Sequence, residues 1–385
     1  MTDLETRVAT PPGLRRAAPA LLGFAAVRVL GLLVLAGWSA ARDKSAYTLL
    51  TARWDALWYT RVAELGYGYE VRLPDGDVHS NLAFFPLLPW LERLGQQLTP
   101  LSYADAGFAV SVVASLAAAW GIFAVAELLY GRRAGVCAVL LWAVLPVGIV
   151  QSMAYSESLF TALAAWSLYA VLTGRWLTAG TLALLAGLTR PVGAAVVAAV
   201  WAGALAHLLR ERRAGRPLPV RPVLGVLLAP LGAAGYVLWV GHRTGGGPLG
   251  YLDVQAGWGN GFDGGVAFAR FIAAKFASPS PGSVLAGLGL LAGVALVIWL
   301  YTVCVRQRQP LPLLVYAGVV TALALCASSY FGSKPRLLMP AFPLLLPLAV
   351  ALARTRVPRA GTALGAVAVA AAVYGAFWLN GSGPP

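Results

Sequence analysis

The chain of 385 residues carries 29 lysines and arginines against 15 aspartates and glutamates, a formal charge of +14, and is 59% hydrophobic but 11% charged. Such proportions exclude an ordinary soluble globule and describe a multi-pass membrane protein. They also remove the nucleic-acid reading that this charge would carry in a soluble protein, because the basic residues stand in short loops between apolar runs and act as topology signals.

In chain order, Arg7, Arg15 and Arg16 precede an apolar run from about Leu21 to Ala41. The run is long enough to cross a bilayer and is read as a retained signal anchor, although WSAA at its end has the form of a cleavage site. Arg28 inside it is expected to snorkel toward the basic, cytoplasmic side. Residues 42–103 are too polar to span and form a first extracytoplasmic loop.

This loop holds the most informative stretch, RWDALWYTRVAELGY at 53–67. As a helix it places Trp54, Trp58, Val62 and Leu65 on one apolar stripe, with Asp55 and Tyr59 on the adjoining face. An amphipathic helix of this kind beside a span lies in the headgroup layer, with its aromatics as anchors, and holds Asp55 at the membrane surface. An enzyme acting on a lipid-carried substrate needs its acid or base at that depth; the alternative is a carboxylate that caps or solubilises the loop. The turn-rich GYGYEVRLPDGD follows, and NLAFFPLLPWLERLGQQL predicts a second interfacial helix beginning near Pro86.

From Tyr103 onward apolar runs alternate with short polar breaks, at roughly 104–130, 134–150, 157–173, 176–189, 191–209, 222–241, 283–304, 310–327, 337–353 and 360–379. With the first segment these predict an all-α bundle of about eleven spans in one domain, 1–385, or nine if 176–209 is a re-entrant pair. Residues 242–282 form a second extracytoplasmic loop. With a cytoplasmic N-terminus, sixteen basic residues fall in the inner loops against eleven in the much longer outer ones, Arg28 and Arg190 lying within spans. Basic density thus puts Asp55 and Glu157 outside.

Three more polar features point outward. QSMAYSES opens a span with Ser156 and Glu157, which serve either a site or an ordinary helix start. Arg190 in LTRPVG costs roughly 2.5 to 3.5 kcal/mol at mid-span on insertion scales, so it faces a cavity or partner, or sits at the outer mouth of a short span. Lys334 and Arg336 in SSYFGSKPRLLMPAFPLL either hold a lipid phosphate or anchor to headgroups. Cys137, Cys304 and Cys326 fall in apolar runs and His79, His207 and His242 are scattered, which gives neither a disulfide framework nor a zinc spacing. Only three of the basic residues are lysines, a bias that looks like high-G+C bacterial coding.

Taken together, these stretches resemble the PIG-V-like family, the second mannosyltransferase of glycosylphosphatidylinositol assembly, as a bacterial-type member within the GT-C superfamily of polyprenyl-phosphate-sugar-dependent glycosyltransferases. RWDALWYTRVAELGY is similar to the family's first-loop Trp-Asp motif and NLAFFPLLPWL to its FFPLLP-like continuation. SESLF resembles its Ser-Glu-Pro-Leu-Phe box, LTRPVG its Thr-Arg-Ser-Asn-Gly box, and KPRLLMPAFPL its late Pro-Arg-Tyr-like segment. Ser158 stands where the family has Pro, and Pro191-Val192 where it has Ser-Asn. The motifs run from 53 to 345, most of the chain.

The resemblance implies an inverting transferase that moves a hexose, mannose in that family, from a polyprenyl phosphate to an acceptor hydroxyl at the extracytoplasmic face. Asp55 would be the general base, and Arg53, Trp54, Tyr59, Glu157, Arg190, Lys334 and Arg336 would bind substrate, the cations countering charge on the departing phosphate. No cofactor is required, and a divalent metal is not indicated. The partners are the lipid donor, the bilayer and an acceptor that is a glycolipid, glycan or protein, with no nucleic acid. A transporter or lipid flippase, or a non-catalytic assembly partner of the same architecture, is the competing reading.

Overall fold

The computed structural model describes residues 11–74, 76–277, 280–381 and 383, so Arg7 lies outside it. Helix α1 (Leu14–Ala40) absorbs the whole first apolar run. Helix α2 (Ala46–Thr51) starts at Ser45, whose hydroxyl accepts the Thr48 N–H. The Trp-Asp stretch forms α3 (Asp55–Leu65). It buries Ala56, Tyr59, Val62 and Ala63, so the expected Trp54/Leu65 stripe is rotated; Leu65 is 70% exposed. Tertiary contacts, and not the helix's own apolar pattern, select its face.

The turn-rich segment is a hairpin, with β1 (Glu70–Arg72) antiparallel to β2 (Val78–Ser80) and Val71 opposite His79. Helix α4 (Leu87–Leu98) begins directly after Pro86, as expected. It buries Leu88 and Glu92 and leaves Trp90, Leu94 and Leu98 exposed at steps of four. Such an outward apolar stripe suits the membrane interface.

Helix α5 (Tyr103–Tyr130) is capped by Ser102, whose hydroxyl takes the Asp105 N–H. There follow α6 (Arg132–Ala143), α7 (Ser156–Leu172), α8 (Trp176–Gly187), α9 (Gly193–Arg213), α10 (Val220–Leu228) and α11 (Leu231–Thr244). The outer loop 242–282 contains α12 (Gly250–Ala256), β3 (Gly261–Phe262) and α13 (Val266–Ala277); its residues 278 and 279 lie outside the described ones. The chain closes with α14 (Pro281–Arg306), α15 (Leu311–Cys326), β4 (Ala327–Ser328), α16 (Lys334–Leu338), α17 (Leu346–Arg354) and α18 (Val357–Leu379). Strand β4 pairs with β3 and ties the outer loop to the end of α15.

Each of the eleven apolar runs becomes helical, yet among the described residues six are long and apolar enough to cross a membrane, or seven counting the bent pair α16/α17. Helices α7, α8 and α15 are shorter. Twelve residues of α8 rise only about 18 Å, against a hydrocarbon core of about 30 Å.

Three breaks in the bundle position the site. Backbone freed in an apolar setting must find partners, and the first and third breaks show how it does. Between α6 and α7 the Arg28 guanidinium donates to the carbonyls of Ala143 and Gly148, and Gln151 Nε2 to that of Trp142 at 2.8 Å. Arg28 therefore does not snorkel; the broken helix supplies carbonyls nearer than any headgroup. Between α8 and α9, a Cβ on Gly193 would lie 2.6 Å from Gly187 Cα, so only glycine admits this approach. The third break bends α16 against α17 by 73°. There Trp142 Nε1 donates to the Met339 carbonyl at 3.1 Å and the Tyr316 hydroxyl to that of Pro340 at 2.9 Å.

The first loop docks on α11 and on the second loop. The Tyr236 hydroxyl of α11 shares its proton between the carbonyls of Leu82 and Phe84 at 2.9 and 2.8 Å, and Trp258 Nε1 donates to that of Ser80 at 3.0 Å. Away from these loops, Arg16 pairs with Glu127, and the Arg133 guanidinium donates to the Thr355 carbonyl, joining two of the basic loops.

Candidate active site

Asp55 opens α3, so its carboxylate sits in the first turn, where the helix dipole favours negative charge. The residue before it, Trp54, has φ +51, a left-handed conformation that is rare for a bulky side chain. Strained backbone of this kind concentrates at functional sites. Arg53 lies across the Trp54 ring, its Cζ 4.1 Å from the centroid.

Arg336, on the short α16 that the bend creates, reaches Asp55 across 281 residues of sequence, Nη1 to Oδ2 at 2.6 Å. Its Nε lies 3.3 Å from Glu157 Oε1, and its Cζ stands 5.1 Å from the Tyr155 ring centroid. Glu157 also has Arg190 Nη1 at 2.6 Å. Arg190 comes from the α8/α9 break and places the same nitrogen 3.1 Å from Ser156 Oγ, which is 2.7 Å from the Tyr59 hydroxyl. Two carboxylates and two guanidiniums thus alternate in one cluster, contributed by four separate segments.

Exposure grades the cluster. The side chain of Glu157 is 1% exposed, Arg336 9%, Arg190 13% and Asp55 23%. Asp55 therefore faces the open side and Glu157 the interior. The contacts of Glu157 with Arg190 and Arg336 are ion pairs without the alignment of hydrogen bonds, so the inner half is balanced in charge without being fully bonded. Burial pushes the Tyr59 phenol well above its ordinary range and keeps it a neutral donor or acceptor.

The structure thus gathers Arg53, Trp54, Asp55, Tyr59, Glu157, Arg190 and Arg336 in or beside one cluster and leaves Lys334 apart. The Lys334 ammonium donates to the Ala327 carbonyl and lies 5.2 and 5.6 Å from the Phe268 and Phe331 centroids. The residue is buried, with its ammonium turned to the β4 turn and the α13 aromatic face, so it is not a headgroup anchor. The anchoring expectation for α3 also changes. Trp58 packs against Phe84, Trp258 and Tyr69 with centroids 5.6, 4.9 and 5.6 Å away, and Tyr59 is buried against Ser156; protein, not lipid, covers both. Glu157 is a buried ion-pair partner and not a solvated helix start.

Sequence reasoning missed Tyr155, whose only signal is its place beside Ser156 and Glu157, and Glu92. Glu92 is fully buried, with no hydrogen-bond partner for either oxygen among the described residues. Its side chain lies against Gly107 of α5, and burial raises its carboxyl well above the usual range. Among the described residues no three His, Cys, Asp or Glu side chains gather as a metal site.

Residues 81–239 match the family described as dolichyl-phosphate-mannose-protein mannosyltransferase, a segment that contains Glu157 and Arg190 but neither Asp55 nor Arg336. The crystal structure of ArnT from Cupriavidus metallidurans bound to undecaprenyl phosphate is similar over 90% of this chain, with a TM-score of 0.54 at 16% identity. The apo state of the same protein gives 0.51 at 18% identity over 91% of this chain. The chain spans 62% and 61% of the length of those two structures. No curated protein matches the chain. The fold is shared with ArnT, and the protein is a multi-pass membrane protein.

Proposed function

We propose that the protein is a membrane glycosyltransferase that moves a sugar, mannose in the first instance, from a polyprenyl-phosphate donor to an acceptor hydroxyl at the extracytoplasmic face, with inversion. The observation that carries this reading is the cluster itself. A carboxylate on the exposed side and two guanidiniums on the inner side, drawn from α3 and from the helix breaks, meet in one cluster within a GT-C fold. In the reaction the acceptor oxygen bonds to C1 of the donor sugar while the bond from C1 to the phosphate oxygen breaks, and Asp55 takes the hydroxyl proton. The departing polyprenyl phosphate gains negative charge, which Arg190 and Arg336 are placed to receive.

An apolar groove of about 570 Å³ between α14 and α15 supports a lipid-carried donor. It is lined by Ile298, Tyr301, Val315, Gly318, Leu325 and Cys326 among others, and its Cys326 end leads into the β4 turn that precedes Arg336. The name of the matched family supports mannose, and the undecaprenyl phosphate bound to ArnT supports the class of carrier. The PIG-V-like resemblance remains the finer proposal for lineage, and Arg53, Trp54 and Tyr59 are proposed to shape the sugar pocket beside the base. Transfer of labelled mannose from polyprenyl-phosphate mannose by purified protein in lipid tests the function. Translocation of the lipid without transfer would favour a flippase instead.

A further inference from the structure

Resting on that reading, we propose that Arg336 is a shared cation: it keeps Asp55 occupied until a lipid-borne phosphate takes its guanidinium, so that the base is released only when donor is bound. Glu157 is the positioning residue about which Arg336 turns.

Four observations lead here. First, Asp55 Oδ2 accepts from Arg336 Nη1 at 2.6 Å, a charge-assisted bond. The oxygen engaged this way is withdrawn from an acceptor hydroxyl and the pair holds the carboxylate toward Arg336, so the cluster as it stands is a resting arrangement. Second, Arg336 is held at its inner end, Nε 3.3 Å from Glu157 and Cζ over the Tyr155 ring at 5.1 Å. Its outer nitrogens can therefore change partner while the inner end stays.

Third, the charges of Asp55, Glu157, Arg190 and Arg336 cancel, and an arriving lipid phosphate adds about one negative charge as the donor's diester and about 1.5 to 2 as the free carrier. The cluster relieves it by releasing one carboxylate to water, and exposure decides which: Asp55 is 23% exposed and Glu157 1%. Once released, Asp55 keeps the favourable field of the α3 N-terminus. Fourth, the contacts of Arg336 Nε and Arg190 to Glu157 are ion pairs without the alignment of hydrogen bonds. The inner contacts are thus not a closed network that would lock Arg336 onto Asp55.

The device imposes order, with donor bound before the acceptor is activated. Its test is carbodiimide-driven amine labelling of carboxyls in purified protein in nanodiscs, read residue by residue by mass spectrometry, with binding followed separately by thermal shift. Saturating undecaprenyl phosphate should raise labelling of Asp55 several-fold, against the usual protection by a ligand, while buried Glu157 and Glu92 stay unlabelled. Inorganic phosphate at the same concentration should leave Asp55 unchanged; an equal response to both would overturn the assignment to the lipid. Arg336→Ala should label rapidly at Asp55 without lipid and show no further rise, with Glu92 still silent as a check that the fold is intact. Bound lipid with unchanged or protected Asp55 would overturn the switch and leave the transferase reading standing. Failure of the lipid to bind at all would overturn both.

Discussion

Replacing Glu157 by glutamine separates a buried ion-pair partner from an ordinary helix start. In the structure Glu157 Oε1 lies 2.6 Å from Arg190 and 3.3 Å from Arg336, separations worth about 6 and 5 kcal/mol at an effective dielectric of about 20. Desolvating three ions offsets most of that, so the intact cluster nets little. Removing the acid alone is different. Arg336 keeps Asp55, but Arg190 loses the carboxylate it pairs with and keeps neutral partners, the serine hydroxyl at 3.1 Å among them, and breaking a buried pair in this way costs about 3 to 5 kcal/mol. A carboxylate that merely complements a helix N-terminus would cost about 0.3 to 1 kcal/mol. The assay is equilibrium unfolding in mixed micelles of Glu157→Gln, Arg190→Gln and the double variant. Each single variant should fall in the larger range, and the double should recover part of the loss as a coupling of about 0.5 to 3 kcal/mol. A single-variant cost below about 1 kcal/mol, additive with Arg190→Gln, would refute the account of this residue.

Three other outcomes follow from the same geometry. Lys334→Met should lower stability by about 1.5 to 3 kcal/mol through the lost charge-assisted bond to Ala327 while leaving the donor KM nearly unchanged, and a large rise in that KM would return Lys334 to the phosphate. Glu92 has a raised folded-state pKa, so its contribution is fully present below the ordinary glutamate range, about 4.3, and is lost as pH rises through the raised value. Melting temperature should fall over that window and flatten in Glu92→Gln, and parallel curves for the two proteins would contradict this. In a Cys326→Ser background, Glu70→Cys should react with impermeant thiol reagents in intact cells and Ala214→Cys should not, the reverse pattern excluding the outward site.

Legibility in the sequence follows the range of the forces involved. Runs of apolar residues and their Pro and Gly punctuation are local, so the eleven helical segments, the start of α4 after Pro86 and the placing of Glu157 and Arg190 at helix breaks could all be read in advance. Partner choice is not local. Nothing within 53–67 says that Asp55 meets a guanidinium 281 residues away, nor that Trp58 turns toward Trp258 instead of lipid. Lys334 and Arg336 stand two residues apart with the same charge, yet the turn of α16 sends one to a carbonyl and two rings and the other into the cluster. The hydropathy that marks spans also cannot register length once a helix breaks, which is why α7, α8 and α15 fall short of the count their composition invites. Arg28 follows the same logic: snorkelling is the default of an isolated helix, and a neighbouring break offers a nearer partner.

The central claim is that Asp55 is a base, and Asp55→Asn in the labelled-transfer assay tests it most directly. The amide keeps the size of the side chain and still accepts from Arg336, so expression and melting in detergent should remain close to wild type, but it takes no proton at neutral pH. Transfer from polyprenyl-phosphate mannose should fall by about 10²- to 10⁴-fold. Retention of more than about a tenth of wild-type transfer in well-folded protein, far above what loss of a general base allows, would contradict the account.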